Sequence, residues 1–464
     1  MLTAVSLGVA LTVPVVFWDQ GCFEREATTF VRQYREPDGR SVAQKVFDPH
    51  RNDLGTYQAR ELSYLLDLAD AHALPHLSAT LGAAFSIPLS ALLAMFIWVV
   101  AFHALAQRWA PHAGVVLSTL LLICFVTSFC FVSTMGLFYR SAKPVLAALV
   151  VVWLGSVMAA RDAKSPAAAR LWTGVLGLTS LAAGLLDRQG AFMVVAAAVV
   201  LWLHHRRTGE LRDAWRITAA VAVLLQVYNF VFGPALVEAL NGYRPDFSYQ
   251  QVPLIELIRL PNHLLRAAAL LVQNVLLVFG GNWLVVTLVG VLAAIWLWRD
   301  RARRSASAWR QWRGYFGAGG NDRLLEYGSW ILLSQLVMFA LMIARHGYVY
   351  RWIDHRYWYY PLPFLALALC GLLLALDAWS VHASRRQRAV LAVALGVLAV
   401  SNVLSLDQRR DVMRGGQWFG EVYPQCQLLK ASLRTGSPAP GLVPEYQALY
   451  DHLSASTADH QIIR

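Results

Sequence analysis

Residues 113–135 read AGVVLSTLLLICFVTSFCFVSTM, a continuous stretch without a single charged side chain. A helix of about 20 apolar residues is long enough to cross the hydrocarbon core of a bilayer. Similar runs recur along the 464 residues, of which 57% are hydrophobic and 15% are charged, whereas soluble domains carry about 25% charged residues. The sequence therefore predicts an all-α polytopic membrane protein and excludes a soluble domain.

The apolar runs predict about eleven transmembrane helices. They lie at 1–18, 78–107, 113–135, 144–160, 171–186, 191–204, 217–236, 283–298, 329–345, 362–380 and 389–405. The run 191–204 is short, so it must extend into the His204–His205 flank or lie where the bilayer is thin. A further run, 264–279, is interpreted as an interfacial or re-entrant helix.

Arginine content predicts the orientation. The segment 299–328 is the most arginine-rich stretch between spans, and basic loops stay in the cytoplasm. The net charge of +12 is explained in the same way, so we expect no nucleic-acid partner. The N-terminus is then cytoplasmic, and the C-terminal tail lies outside.

This topology predicts a transmembrane module over 1–405 and a short outer tail over 406–464. The module has three larger outer segments, at 19–77, 237–282 and 346–361. Cys22 and Cys426 both fall outside, where a disulfide between them is one alternative and two free thiols the other.

The first outer segment contains two candidate catalytic carboxylates, Asp48 and Asp53. Asp53 precedes a predicted helix, so it is also a candidate N-cap, and Asp48 precedes Pro49 as a turn residue would. A second alternative for this segment is a divalent-cation site formed by Asp48, His50 and Asp53. In the helix that follows, apolar residues share one side and polar residues the other, as expected at a membrane interface. The polar side comprises Arg60, Ser63, Asp67 and Asp70.

Cationic side chains mark the other outer segments. Arg140 and Lys143 precede one span, and Arg188 lies in the tight turn Asp187–Gly190. They are candidates to bind an anion, although snorkelling to headgroups and an Asp–Arg surface pair are the simpler alternatives. The segment 345–361 is dense in arginine and aromatic residues, including His355, Arg356 and Tyr357. An aromatic belt at the interface is its simpler explanation.

These residue types suit a reaction that deprotonates a hydroxyl and releases a phosphate. A carboxylate accepts the proton, and cations stabilise the charge on the leaving group. The sequence contains no phosphate-binding loop, no H-E-x-x-H, G-x-S-x-G or C-x-x-C, and no D-x-D pair. The predicted spans also lack charged residues at mid-depth, where ion-coupled transporters place them.

Three short motifs resemble the GT-C superfamily of membrane glycosyltransferases, particularly protein O-mannosyltransferases and lipid A aminoarabinose transferases. Asp53 and Tyr57, with the run Ala59–Leu62, look like the acidic residue, tyrosine and A-R-E-M-type segment of that family. Arg140 matches an arginine at the outer start of the fourth span. Arg356–Tyr357 with the following prolines looks like the R-Y-x-x-P-x-x-P entry to a late span.

The resemblance implies an inverting transfer of one sugar from a polyprenyl-phosphate donor to an acceptor hydroxyl at the periplasmic face of the bacterial inner membrane. Asp53, or Asp48 in its place, would be the base. The remaining candidates would bind the donor or the acceptor: Tyr57, Arg140, Lys143, Arg188, His355, Arg356 and Tyr357. No metal is obligatory in several relatives. A flippase for a lipid-linked glycan and a non-catalytic scaffold of this type remain the alternative functions.

The predicted topology can be tested with reporter fusions. A reporter inserted near Thr56 should be active on the outer side, and one near Arg310 only in the cytoplasm, because the first outer loop and the arginine-rich segment fall on opposite sides. Paired phosphatase and fluorescent-protein fusions measure this. Equal signals from both sites would contradict the assigned orientation.

Overall fold

The computed structural model describes eight stretches of the chain: 2–21, 39–47, 60–81, 87–135, 142–243, 258–278, 362–414 and 422–444. It also describes a few isolated residues: 290, 336, 337, 340, 446–448, 450, 451 and 454. The regular structure of these residues is helical, and they include no strand. The prediction of an all-α polytopic protein is confirmed.

The helices are numbered here in chain order. They are α1 (Leu2–Gly21), α2 (Val42–Phe47), α3 (Glu61–Leu81), α4 (Leu89–Trp109), α5 (Gly114–Val126), α6 (Phe129–Met135), α7 (Ala142–Arg161), α8 (Pro166–Leu186), α9 (Arg188–Thr208), α10 (Arg212–Val227), α11 (Gly233–Asn241), α12 (Leu260–Val278), α13 (Leu362–His382), α14 (Arg385–Arg414) and α15 (Val422–Thr435). A 3₁₀ turn, Pro111–Ala113, precedes α5, and a π-helical turn, Tyr228–Phe232, joins α10 to α11.

Six of the helical segments in the described stretches are long and apolar enough to cross a membrane, and a bent pair makes a seventh. The six are Leu89–Trp109, Ala142–Arg161, Pro166–Leu186, Arg212–Asn241, Leu362–Val381 and Arg385–Leu406. The count of eleven spans is not confirmed, and the predicted spans 283–298 and 329–345 lie almost entirely outside the described residues.

Three predicted boundaries differ from the observed ones. Residues 78–81 belong to α3, so the span predicted to begin at 78 begins instead at Leu89. The short run 191–204 is part of α9, which at 21 residues is about 31 Å long. The predicted division at 405 falls inside α14, a continuous helix of 30 residues; the division into module and tail stays a prediction.

The contacts between helices define two ends of the bundle. At one end, the indole nitrogen of Trp109, the last residue of α4, donates to Asp162 just after α7, at 2.8 Å. Asp377 of α13 accepts backbone hydrogen bonds from His112 and Ala113 at this same end. The start of α7 is about 30 Å away, since that helix has 20 residues. We name the two ends inner and outer after the predicted topology.

The N-terminal helix is attached to α4 by a buried hydrogen bond. Ser6 of α1 and His103 of α4 are 2.8 Å apart between Oγ and Nε2, and both side chains are buried. His103 lies in the last third of α4, toward the inner end. The beginning of α1 therefore lies in the inner half of the bundle, as the predicted topology requires.

A break between α5 and α6 bends the chain by 58°. The amide of Ser128 donates to Phe125 rather than to Cys124, so the helical acceptor pattern is interrupted there. The side-chain amide of Asn402 in α14 donates to the Cys124 carbonyl at 2.9 Å. A backbone group in an apolar environment needs such a partner, and Asn402 supplies it.

Gly190, near the start of α9, allows α8 and α9 to approach closely at the outer turn. A Cβ at this position would lie 1.9 Å from the backbone oxygen of Ala183. Backbone atoms cannot rotate away as a side chain can. The glycine is therefore required by packing, and it fixes the start of α9 against the end of α8.

We expect Gly190→Ala to destabilise the protein by about 1–3 kcal/mol, because the methyl group forces the two helices apart. Gly174→Ala in α8 is the matched control, since a Cβ there meets nothing within 4 Å. Thermal unfolding in detergent measures both. Equal midpoints for the two variants would show that the contact at Gly190 is not a constraint.

Candidate functional site

The polar side of the helix α3 packs against the rest of the protein. Ser63, Asp67 and Asp70 are buried, whereas Leu65 on the other side is 47% exposed. Neighbouring apolar residues, Leu62, Leu66 and Ala73, are partly exposed, and Ala69 is exposed. An interfacial helix in this orientation presents its apolar side to lipid and its acidic side to the neighbouring helices.

A buried ion pair joins α7 to the turn between α8 and α9. Lys143 Nζ lies 2.9 Å from Asp187 Oδ1, and the lysine side chain is only 2% exposed. The same nitrogen donates to Gln189 Oε1 at 3.2 Å. Lys143 thus places a positive charge in the first turn of an otherwise apolar helix, at the outer end of the bundle.

Asp187 has a second structural role as the N-cap of α9. Its Oδ1 accepts a hydrogen bond from the backbone amide of Gln189 at 2.8 Å. One carboxylate oxygen therefore serves both the ammonium of Lys143 and the first turn of α9. This arrangement fixes the position of Arg188, which begins that helix.

The carboxyl of Asp187 is held in its charged form. Burial raises its pKa, but the Lys143 ammonium, the hydrogen bonds from Lys143 and from the Gln189 amide, and the charge of Arg60 together outweigh burial. The net pKa of Asp187 is therefore lower than usual. The outer end of the bundle therefore carries a buried carboxylate that is charged at neutral pH, next to the buried amino group of Lys143.

Arg60 brings the start of α3 into the same region. Its Nε donates to the hydroxyl of Tyr64 at 2.8 Å, and its guanidinium lies 4.9 Å from the centre of that ring. Its charge is the smallest of the contributions that lower the pKa of Asp187, after those of Lys143 and the Gln189 amide. The segment that follows the predicted catalytic loop is therefore close to the Lys143–Asp187 pair.

Asp70 connects α3 to the start of α4. Its two carboxylate oxygens accept from the amide of Ser90 at 2.8 Å and from the hydroxyl of Ser90 at 2.5 Å. The residue before α4, Pro88, provides no side-chain cap, so Asp70 caps this helix from another segment. Burial raises the pKa of Asp70 to about 6, although the hydrogen bonds from Ser90 oppose the increase.

The described residues include only two of the site residues predicted from the sequence. Lys143 is buried in the ion pair, and Arg188 is partly buried at the start of α9. The others lie outside the described residues: Asp48, Asp53, Tyr57, Arg140, His355, Arg356 and Tyr357, together with His50 and Cys22. Their roles stay predictions. Within the described stretches, no group of three His, Cys, Asp or Glu residues is arranged to hold a metal ion.

The sequence interpretation missed Arg60, Asp187 and Gln189 as members of this site. Asp187 was considered only as half of a surface pair with Arg188, whereas it is buried against Lys143. The signal available in the sequence was an Asp directly before an apolar helical run, at the outer end of two spans. That pattern indicates a cap but not its long-range partner.

The comparisons with known proteins give one structural likeness. No protein-family model and no curated protein matches the sequence. Among solved structures, the chain is similar to the crystal structure of ArnT from Cupriavidus metallidurans bound to undecaprenyl phosphate. The TM-score is 0.45 and the identity is 13%, with 98% of this chain and 75% of that chain covered.

ArnT is a GT-C lipid A aminoarabinose transferase, which is one of the enzyme types that the sequence motifs resemble. The function proposed below rests on the residues of this chain.

The charge of Asp70 makes stability depend on pH in a definite direction. Its pKa is about 6 in the folded protein and 3.8 for an ordinary aspartate, so the folded state binds the proton more tightly. Stability from this group is therefore greatest at low pH and falls as the pH rises from about 4 to above 6.

We expect Asp70→Asn to remove this dependence, because an amide can still accept from the Ser90 backbone and carries no charge. The stability of the variant relative to the unsubstituted protein should increase by on the order of 3 kcal/mol between about pH 4 and pH 7. Unfolding measured across that range checks this. A difference that stays constant with pH would contradict the assignment.

Proposed function

We propose that this protein is an inverting glycosyltransferase of the bacterial inner membrane. It moves one sugar from a polyprenyl-phosphate donor to an acceptor hydroxyl at the periplasmic face. The acceptor is a glycan, a lipid or a protein. The observation that carries the proposal is the buried Lys143–Asp187 ion pair at the outer end of the bundle, on which the charge of Arg60 at the start of the interfacial helix also acts.

Charged side chains buried in an apolar bundle are costly and usually mark a functional site. Lys143 lies in the first turn of α7, and Asp187 lies between the end of α8 and the start of α9, so neither is at the centre of a helix. The ends of membrane-spanning helices are at the depth of the lipid headgroups. A phosphate carried by a membrane lipid lies at this depth. The cations of this region therefore suit a lipid-linked phosphate better than a soluble one.

The chemistry is a single displacement. The acceptor oxygen attacks the anomeric carbon and forms the new glycosidic bond, while the bond from that carbon to the phosphate oxygen breaks. The acceptor proton passes to a carboxylate, for which we propose Asp53, with Asp48 as the alternative. Lys143, Arg140, Arg188 and Arg356 stabilise the charge on the departing lipid phosphate.

The remaining predicted residues have supporting roles in this proposal. Tyr57, His355 and Tyr357 would contact the sugar or the phosphate through ring faces and polar atoms. Asp53 and Tyr57 belong to the segment directly before Arg60, and Arg60 acts on Asp187. The chain connectivity therefore supports a carboxylate close to the cations. A divalent cation held by Asp48, His50 and Asp53 is compatible with the scheme but is not required by it.

A flippase for a lipid-linked glycan is the alternative class. Transporters that move charged substrates place ionisable residues at mid-depth. In the spans that the structure describes, Asp, Glu, Lys and Arg lie near helix ends and not at the centre. This distribution favours chemistry at the membrane surface.

Replacing Asp53 by Asn tests the enzyme proposal. Transfer of a labelled sugar from a polyprenyl-phosphate donor should fall by about 10²–10⁴-fold, because the acceptor hydroxyl loses its base. Asp48→Asn tests the alternative carboxylate in the same assay. Asp213→Asn is the control, because Asp213 is exposed at the inner end of the bundle. Full activity in both Asp53→Asn and Asp48→Asn would place the base elsewhere. Donor movement across vesicles without transfer would favour the flippase.

A further inference from the structure

Lys143 occupies an environment that normally removes the charge of a lysine. Its side chain is almost completely buried, and it lies in the first turn of a helix that is otherwise apolar until Arg161. Desolvation favours the neutral amine, and lysines buried without a counter-ion give up their proton near neutral pH. A neutral lysine cannot attract a phosphate by charge.

Asp187 is positioned to prevent this loss. Its Oδ1 lies 2.9 Å from Lys143 Nζ, and Gln189 Oε1 accepts a second hydrogen bond from the same nitrogen. The carboxylate is itself held rigidly, because Oδ1 also caps α9 through the Gln189 amide. A fixed negative charge at this distance stabilises the ammonium form of the lysine.

We propose that Asp187 is a positioning residue that keeps the buried Lys143 protonated and in place, so that Lys143 binds the phosphate of the lipid-linked donor. The identity of the ligand rests on the proposed function. The effect of Asp187 on Lys143 does not, and it can be measured without any ligand.

Other charged groups border the pair. Arg60 at the start of α3 acts on Asp187 by its charge, and Arg188 follows Asp187 in the chain. The same helix α3 also carries the buried acids Glu61 and Asp67. Arg60 and Arg188 are cations, so they oppose the protonation of Lys143 and increase its need for Asp187. The two acids of α3 remain in every variant below and act as a constant background.

The first measurement is of the charge on Lys143. The chain has four lysines, Lys45, Lys143, Lys164 and Lys430, so protein labelled with ¹³C at lysine Cε gives a simple NMR spectrum. The Lys143 signal is assigned by its loss in Lys143→Arg. In the unsubstituted protein this signal should have its ammonium position at neutral pH, because Asp187 lies 2.9 Å away.

Asp187→Asn is the informative variant, because asparagine is as good an N-cap as aspartate but has no charge. It should lower the pH at which the Lys143 signal titrates by at least about one unit, a tenfold change in proton affinity. Asp187→Glu restores the charge and should restore the ammonium position. An Asp187→Asn protein in which Lys143 titrates as in the unsubstituted protein overturns the proposal.

The second measurement is phosphate binding. Undecaprenyl phosphate is titrated into nanodiscs that contain the protein, with undecaprenol, which lacks the phosphate, as the control lipid. The ratio of affinities at pH 8 and pH 6 is compared with that of the unsubstituted protein, because the lipid phosphate itself titrates at about pH 6 and changes binding in every variant alike. Relative to the unsubstituted protein, Asp187→Asn should bind the phosphate lipid more weakly at pH 8 than at pH 6. The double variant Asp187→Asn with Lys143→Arg should have the same ratio as the unsubstituted protein, because arginine stays charged when buried.

These two measurements separate the inference from the proposed function. The lysine signal can behave as expected while the unsubstituted protein shows no preference for the phosphate lipid. In that case the proposed polyprenyl-phosphate donor is wrong, but the effect of Asp187 on Lys143 stands. If Asp187→Asn fails to fold, the titration of Lys143 in the unsubstituted protein still tests the charge, because a Lys143 signal that already moves to the neutral-amine position at about pH 7 overturns the proposal. A double variant that binds no better than Asp187→Asn overturns the role of charge at residue 143.

Discussion

Burial of charge at the outer end of an apolar bundle is the constraint on which the site depends. An isolated ammonium or carboxylate would be expensive there, and breaking such a pair by removing one partner typically costs about 3–5 kcal/mol. The contact between Lys143 and Asp187 therefore links α7 to the α8–α9 turn. It also determines where Arg188 begins its helix, because Asp187 is the cap of α9. One short-range interaction thus sets both the position of three helices and the electrostatics of the region between them.

The second feature that shapes the site is the orientation of α3. An amphipathic helix in water buries its apolar side, whereas α3 buries Asp67 and Asp70 and exposes Leu65. This orientation is stable where the surroundings of the bundle are lipid. Asp70 then reaches Ser90 and caps α4, so the helix that follows the predicted catalytic loop is attached to the first long span after it. The start of α3 is also linked to the Lys143–Asp187 pair, because the charge of Arg60 acts on Asp187.

The sequence predicted those parts of the molecule that depend on local composition. Long uncharged runs identified most of the spans, and arginine content placed the turns after α4 and α7 at the same end, as the Trp109–Asp162 contact shows. Periodicity separated the two sides of α3 but did not show which side packs on the protein. The partner of Asp187 and the contribution of Asn402 to the α5–α6 break depend on residues brought together from distant parts of the chain. No local pattern contains that information.

The length of α14 has a geometric consequence. Its 30 residues make a rod of about 45 Å, whereas the hydrocarbon core is about 30 Å thick. The excess of about 15 Å is nearly three helical turns, more than the hydrocarbon core accommodates when the helix stands upright. These turns lie among or beyond the headgroups, or the helix tilts so that its length fits, and in both cases an unbroken helix connects the apolar part of α14 to its polar C-terminal turns.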